Sequence, residues 1–216
     1  MTIDIINPIT DSRYRSFIDQ HPQATIFHTP EWMQALTDSY RFKPVACAVF
    51  NNDSITGVVP LCETHGITGK KRMVSLPFSD FCDPLFSDNH SFDEAFNVLK
   101  NYAIERKWKY IELRGGEVYF SAETTPYAET LTHTIDLQPE ENLLFSSLRS
   151  STQRNIRKAE RKKLEYSFEY SFGAVMKFYH LNCITRREHG LPPQPRGFFK
   201  NLYSNMIKKN KLFSHL

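Results

Sequence analysis

The chain has 216 residues, 40% hydrophobic, 13% aromatic and 24% charged, a composition that excludes an intrinsically disordered chain and allows a sizeable core. Its formal charge of +3 is too small to name a partner, but the basic residues crowd between Arg149 and Lys163. The N-terminus carries no basic segment followed by an apolar run, and no stretch approaches eighteen apolar residues, which excludes a secretory signal and a membrane span. Cys47, Cys62, Cys82 and Cys183 show neither C-x-x-C nor zinc-type spacing. Reduced, buried thiols of a cytoplasmic protein, with no metal, are therefore expected.

Along the chain, "TIDIINP" predicts a strand closed by Pro8, and "SRYRSFIDQ" a short helix stopping before Pro22. In "HTPEWMQALTDSY" Thr29 is the N-cap, Pro30 the first helical residue and Glu31 the first-turn acid, with Trp32, Leu36 and Tyr40 on one face. "KPVACAVFN" and "SITGVVPLCET" flank "NND" as a hairpin, and "KRMVSLPF" follows as a strand. "SDFCDPLFSDNHS" is loop, and Phe92 to Trp108 is a helix through Phe92, Phe96, Leu99, Tyr102 and Ala103. "KYIELRGG" and "TLTHTIDL" are strands, and this succession defines a mixed α/β first domain, residues 1–138. Residues 139–216 turn polar and basic and form the second domain, with a boundary at Leu137 to Pro139. There "EYSFEYS" reads as a strand, and "FGAVMKFYHLNCITRREHG" as a helix with Val175, Phe178, Leu181 and Ile184 as its apolar stripe. "RGFFKNLYSNMIKKN" is a further helix, and "KLFSHL" begins like a strand.

Two stretches carry chemistry. In "SSTQRNIRKAERKK", Ser150, Ser151 and Thr152 are N-cap candidates, and Arg154, Arg157, Lys158 and Arg161 fall at i, i+3, i+4 and i+7 on one side of a helix. Ile156 and Ala159 lie off that rail and can pack inward. Guanidinium forks suit bidentate binding of phosphate or carboxylate, whereas the alternative is a solvated helix face. In "TRREHGLPPQP", Gly190 ends a helix whose negative C-terminal dipole Arg186, Arg187 and His189 complement, and the prolines stop continuation. The same rigid loop, running on into Arg196 and an aromatic pair, is also a natural place for a binding site. His189 is a candidate general base, since histidine is the side chain most often used to move protons at neutral pH, with a capping role as its alternative. Asp80 and Asp83 in "SDFCDPL" are candidate acid/base groups or amine ligands, or else Asx-turn residues.

"LRSSTQRNIRKAERKKLE" followed by "FYHLNCITRREHGLPPQPRGFFKNLY", preceded by "FHTPEWMQAL", "ITGVVPLCETHG", "SLPFSDFCDPL" and "YIELRGG" in that order, resembles the Fem-type peptidyltransferases and their acetyltransferase-like relatives. The resemblance implies two GNAT-like α/β domains, the second incomplete here, because the strands and helix that would hold an acyl donor have no counterpart before "KLFSHL". It implies transfer of an aminoacyl or acetyl group to an amine of a cell-wall (peptidoglycan) or saccharide precursor. The donor would be an acyl-CoA or aminoacyl-tRNA, with no tightly bound cofactor. On the matching motifs, Arg154, Arg157 and Lys158 would face a phosphate-bearing group, and Arg186, Arg187 and His189 would line a cleft. Trp32 would stand near the acceptor, and Arg114 is a further match unless it is a structural ion pair. The partners so implied are an anionic small-molecule or precursor substrate, tRNA, a peripheral membrane surface and a second copy covering an apolar half-domain face. The alternative function is a non-catalytic binding module for a phosphate-bearing saccharide or nucleotide-linked ligand, or a fragment of a longer enzyme.

Overall fold

The computed structural model describes residues 1–66, 71–87, 91–120, 124–131, 135–137, 140–163 and 167–209. Its elements are β1 (Thr2–Ile6), α1 (Ser12–Gln20), a 3₁₀ turn (Ile26–His28), α2 (Pro30–Tyr40), β2 (Lys43–Asn51), β3 (Ser54–His65), β4 (Lys71–Val74), β5 (Leu85–Phe86), α3 (Phe92–Glu105) and β6 (Ile111–Glu112). These are followed by α4 (Glu141–Ser147), α5 (Ser150–Arg161), α6 (Phe172–Glu188) and α7 (Arg196–Leu202), the last continuing into a π-helical turn, Tyr203–Ile207. The chain divides into two compact units, Met1–Ser121 with Tyr170–Leu216, and Ala122–Glu169. The expected boundary at Leu137 to Pro139 falls inside the second of these.

The larger unit is built on a mixed sheet of order β1-β2-β3-β4-β6, with β5 paired to β3. Its ladders are antiparallel except β4 with β6. Strand alternation sorts the side chains of β2 to two sides: Ala46, Ala48 and Phe50 join one core with α1, α2 and α7, while Cys47 and Val49 join another with α3. Val58 and Val59 of β3 divide the same way. Helices on both faces give the expected mixed α/β architecture, with three layers. Cys47, Cys62 and Cys82 are buried. Burial pushes the thiols of Cys47 and Cys62 up to about 12, so neither is a nucleophile at neutral pH.

Local signals explain the helix ends. Asp11 caps α1 by accepting from the Arg13 N–H at 2.9 Å, and Thr29 caps α2 by accepting from the Trp32 N–H at 3.3 Å. α6 ends in a Schellman motif: the Leu191 N–H donates to the Arg186 carbonyl and the Gly190 N–H to that of Arg187, with Gly190 at φ +68°. On α5 the N-cap is Arg149, so Ser150, Ser151 and Thr152 lie within the helix instead of capping it. The stripe on α6 is also rotated from expectation. Val175, Met176 and Tyr179 pack on the core, whereas Phe178, Leu181 and Ile184 are exposed. The i, i+3, i+6, i+9 series drifts 60° per step around a 100° helix, so it cannot keep facing one partner.

Described residues of "TLTHTIDL" (130, 131 and 135–137) and "EYSFEYS" (167–171) are not in strands; residues 132–134 and 165–166 of these segments, and all of "KLFSHL", lie outside the described residues. The smaller unit has no fully buried side chain among its described residues. There Leu144, Phe145, Leu148, Ile156 and Ala159 are half-buried, and Gln153 Nε2 donates to the Leu148 carbonyl at 2.8 Å. Among the described residues no helix is long and apolar enough to cross a membrane.

His28 joins two parts of the larger unit. It is fully buried; its Nδ1 accepts from the Thr25 N–H at 3.0 Å, which leaves Nε2–H to donate to the Asp83 carbonyl at 2.9 Å. Burial holds its pKa below the ordinary value of 6.5, against the opposing pull of Asp83, with His21 nearby adding to the depression. The folded state thus resists a proton that the unfolded chain accepts. The stabilisation is complete above pH 6.5 and is lost as the pH falls below it, by up to about 1.4 kcal/mol per unit. In urea denaturation, His28→Gln is expected to cost about 1–3 kcal/mol at pH 7.5 and to lose roughly 1 kcal/mol less than the parent chain between pH 7 and 5.5.

Candidate functional site

In the larger unit the segment from Ser75 to Asp83 leaves β4 in a strained turn. Leu76 and Phe78 both adopt left-handed backbone, at φ 43° and 65°, a conformation costing roughly 1–2 kcal/mol for residues with a side chain. The turn is held by its surroundings. Arg114 Nε donates to Glu112 at 2.9 Å, its guanidinium also donates to the Ser79 carbonyl at 2.9 Å, and its N–H donates to Ser75 Oγ at 2.6 Å. The Cys82 N–H returns to the Arg114 carbonyl at 2.7 Å. Asp83 accepts from the Gly116 N–H at 2.6 Å. Gly115 sits at φ +104° with its missing Cβ directed at the Asp83 carboxylate, so only glycine fits that approach.

The strained turn presents Phe78, 43% exposed, to an aromatic wall. Its ring lies 4.9 Å from Tyr40 and 5.6 Å from Phe198, and Phe198 in turn meets Tyr40 at 5.7 Å and Trp32 at 6.3 Å. Trp32 is buried, yet its Nε1–H finds no acceptor among the described residues, and neither does the Tyr40 hydroxyl find a partner. Burial raises the Tyr40 pKa to about 12, so it is a neutral donor at neutral pH. Two donors packed on one ring with no acceptor suit a ligand that brings oxygen acceptors of its own.

The predicted residues fall in three places. Trp32 belongs to the aromatic wall. Asp80 is exposed on the strained turn, while Asp83 and Arg114 are engaged in the frame behind it. Arg187 and His189 are exposed at the end of α6, and Arg186 is half-buried there. In the smaller unit Arg154, Arg157, Lys158 and Arg161 are all exposed along α5, opposite half-buried Ile156 and Ala159. Arg157 also lies over the Phe145 ring at 5.2 Å, which pre-orients its guanidinium. A separate open groove of about 700 Å³ between α1 and the β2–β3 turn contains none of these residues. The roles of Tyr40, Phe78 and Phe198 in this wall were missed by sequence reasoning; the shared α2 face of Trp32 and Tyr40 and the aromatic pair after "LPPQPR" were the visible signals.

No protein-family model matches the chain, and no curated protein matches it. Among solved structures, the crystal structure of FemX is similar over 97% of this chain, with a TM-score of 0.58 at 18% sequence identity. The chain spans 56% of the length of FemX. A ribosomal-protein-alanine N-acetyltransferase from Brucella melitensis biovar Abortus 2308 aligns with 63% of this chain and 100% of its own, at 13% identity and a TM-score of 0.41. The FemX likeness establishes a shared α/β fold.

The framing of Asp83 separates it from Asp80 experimentally. Asp83→Ala is expected to lower stability by about 1–3 kcal/mol, whereas Asp83→Asn, which retains an acceptor for the Gly116 N–H, should cost less than about 1 kcal/mol. Asp80→Asn should leave the denaturation midpoint unchanged. Chemical denaturation of the three variants checks this ordering.

Proposed function

We propose that the chain binds a phosphate-bearing precursor as part of a Fem-like N-acyltransferase. The observation that carries this reading is the fold shared with FemX across almost the entire chain, in a protein that also presents an exposed arginine rail. In such a transfer the acceptor amine attacks the donor carbonyl. A C–N bond forms, the bond from the carbonyl carbon to CoA sulfur or tRNA ribose oxygen breaks, and the amine proton passes to a base. The proton taken from the amine ends on the departing thiolate or alkoxide, directly or through that base. α5 supplies Arg154, Arg157, Lys158 and Arg161 for phosphate, and the donors of Trp32 and Tyr40 suit carbonyl or sugar oxygens. Asp80 and His189 are exposed groups able to take a proton.

A second reading, binding without group transfer, is favoured by one observation. Among the described residues neither the Asp80 carboxylate nor the His189 ring has a hydrogen-bond partner to orient it, whereas a working base is ordinarily held by a neighbour.

Calorimetric titration of the purified chain with a UDP-linked muropeptide and with acyl-CoAs tests both. Saturable binding of the UDP-linked precursor is expected, weakening with salt. Replacing Arg154, Arg157 and Lys158 together by Ala should reduce that affinity at least tenfold at low salt. Unchanged affinity in the triple variant removes the rail from the binding site. Binding of the precursor with no acyl-CoA binding and no transfer from aminoacyl-tRNA selects the second reading.

A further inference from the structure

α6 has two faces. Val175, Met176, Tyr179, Asn182, Cys183 and Arg186 are half-buried and point into the larger unit, all within a sector of the helix centred on Tyr179 and Cys183. The opposite sector is centred on Leu181, which is 61% exposed, flanked by Phe178 at 60% and Ile184 at 37%. Leu191 at 49% lies just past its end, where the Schellman turn fixes it. Together these side chains offer roughly 350 Å² of apolar surface to solvent. That is most of the apolar share of one side of a standard protein interface, about 800 Å² per partner with a little over half of it apolar.

The charges on this face point to what covers it. Lys177 lies beside Leu181 toward the N-terminus of the face, and Glu188, the only acid on α6, lies beside it toward the C-terminus. The two are eleven residues apart, roughly 16 Å along the helix, too far to pair with each other. Neither has an opposite charge three or four residues away on α6.

A copy of the same helix laid antiparallel across a two-fold axis resolves both features. With the axis midway between Asn182 and Cys183, Lys177 stands opposite Glu188 of the second copy, and Leu181 opposite its Ile184. Ala174 stands opposite its Leu191, a small residue facing a large one. Every contact occurs twice, as an isologous interface requires. A partner of unrelated sequence would need to reproduce this pattern; a second copy carries it already.

We infer that α6 is a self-docking surface and that the chain forms an antiparallel two-fold dimer through the face of Lys177, Phe178, Leu181, Ile184 and Glu188. This rests on α6 alone and stands whichever functional reading holds. The test is sedimentation velocity of the full chain from 1 to 100 μM, with circular dichroism on each variant. A reversible dimer is expected in that range. Leu181→Glu, at an exposed position that leaves the helix intact, should weaken association by at least thirtyfold. Lys177→Glu should weaken it about five- to tenfold by opposing like charges, and adding Glu188→Lys should restore it to within about threefold of the parent chain. A parent chain that stays monomeric at 100 μM, or a dimer that ignores Leu181→Glu, overturns the proposal and leaves the face to a different polypeptide. Failure of the double charge reversal to rescue Lys177→Glu overturns the antiparallel register.

Discussion

The larger unit depends on a hairpin, β2 with β3, that is apolar on both faces. Ala46, Ala48 and Phe50 leave β2 on one side and Cys47 and Val49 on the other, so neither face can be left to water. One helical layer would cover only half of that surface. The chain therefore places α3 on one face and α1, α2 and α7 on the other. Because α7 comes from the end of the chain, Tyr170–Leu216 belongs with Met1–Ser121, and Phe198 and Phe199 complete a core begun by residues more than 150 positions earlier. The aromatic wall of Trp32, Tyr40, Phe78 and Phe198 is a consequence of that closure.

How much of this is legible in the sequence follows from how local each cause is. The α2 start is written in four adjacent residues, Thr29, Pro30, Glu31 and Trp32, and its cap bond forms as the spacing predicts. The β2–β3 hairpin is equally local. By contrast β5 and β6 are two residues each, defined by what they pair with and not by any pattern of their own. The break between α4 and α5 falls at Leu148 and Arg149, neither of them glycine or proline, so no local signal in the sequence marks it. The α6 stripe was misphased because its exposed face is as apolar as its packed one, and periodicity cannot distinguish a core from an uncovered surface.

The candidate site shows the same division. The arginine rail on α5 is a matter of helical spacing and was visible. The separation of Asp80 from Asp83 was not, since it depends on Gly116, thirty-three residues away, offering its N–H to one carboxylate and not to the other. Arg114 likewise matches a motif by position, but its donors are directed to Glu112 and to the Ser79 carbonyl. Motif position identifies a residue that matters; only the partners reveal whether it holds the frame or meets a ligand.

The frame also explains how the turn from Ser75 to Asp83 tolerates two left-handed residues. Leu76 is fully buried and precedes Pro77, so its backbone cannot relax without extracting a leucine from the core. Extraction costs more than the strain it would relieve, since losing a buried leucine side chain costs about 2–5 kcal/mol against roughly 1–2 for the conformation. At the other end, His28 and Gly116 hold Asp83 by its carbonyl and its carboxylate. Pinned at both ends, the turn keeps Phe78 half in solvent against Tyr40 and Phe198, at a place where two buried donors lack acceptors. A site assembled this way is organised before any ligand arrives, and the ordering cost that weakens binding to mobile loops is met by the core.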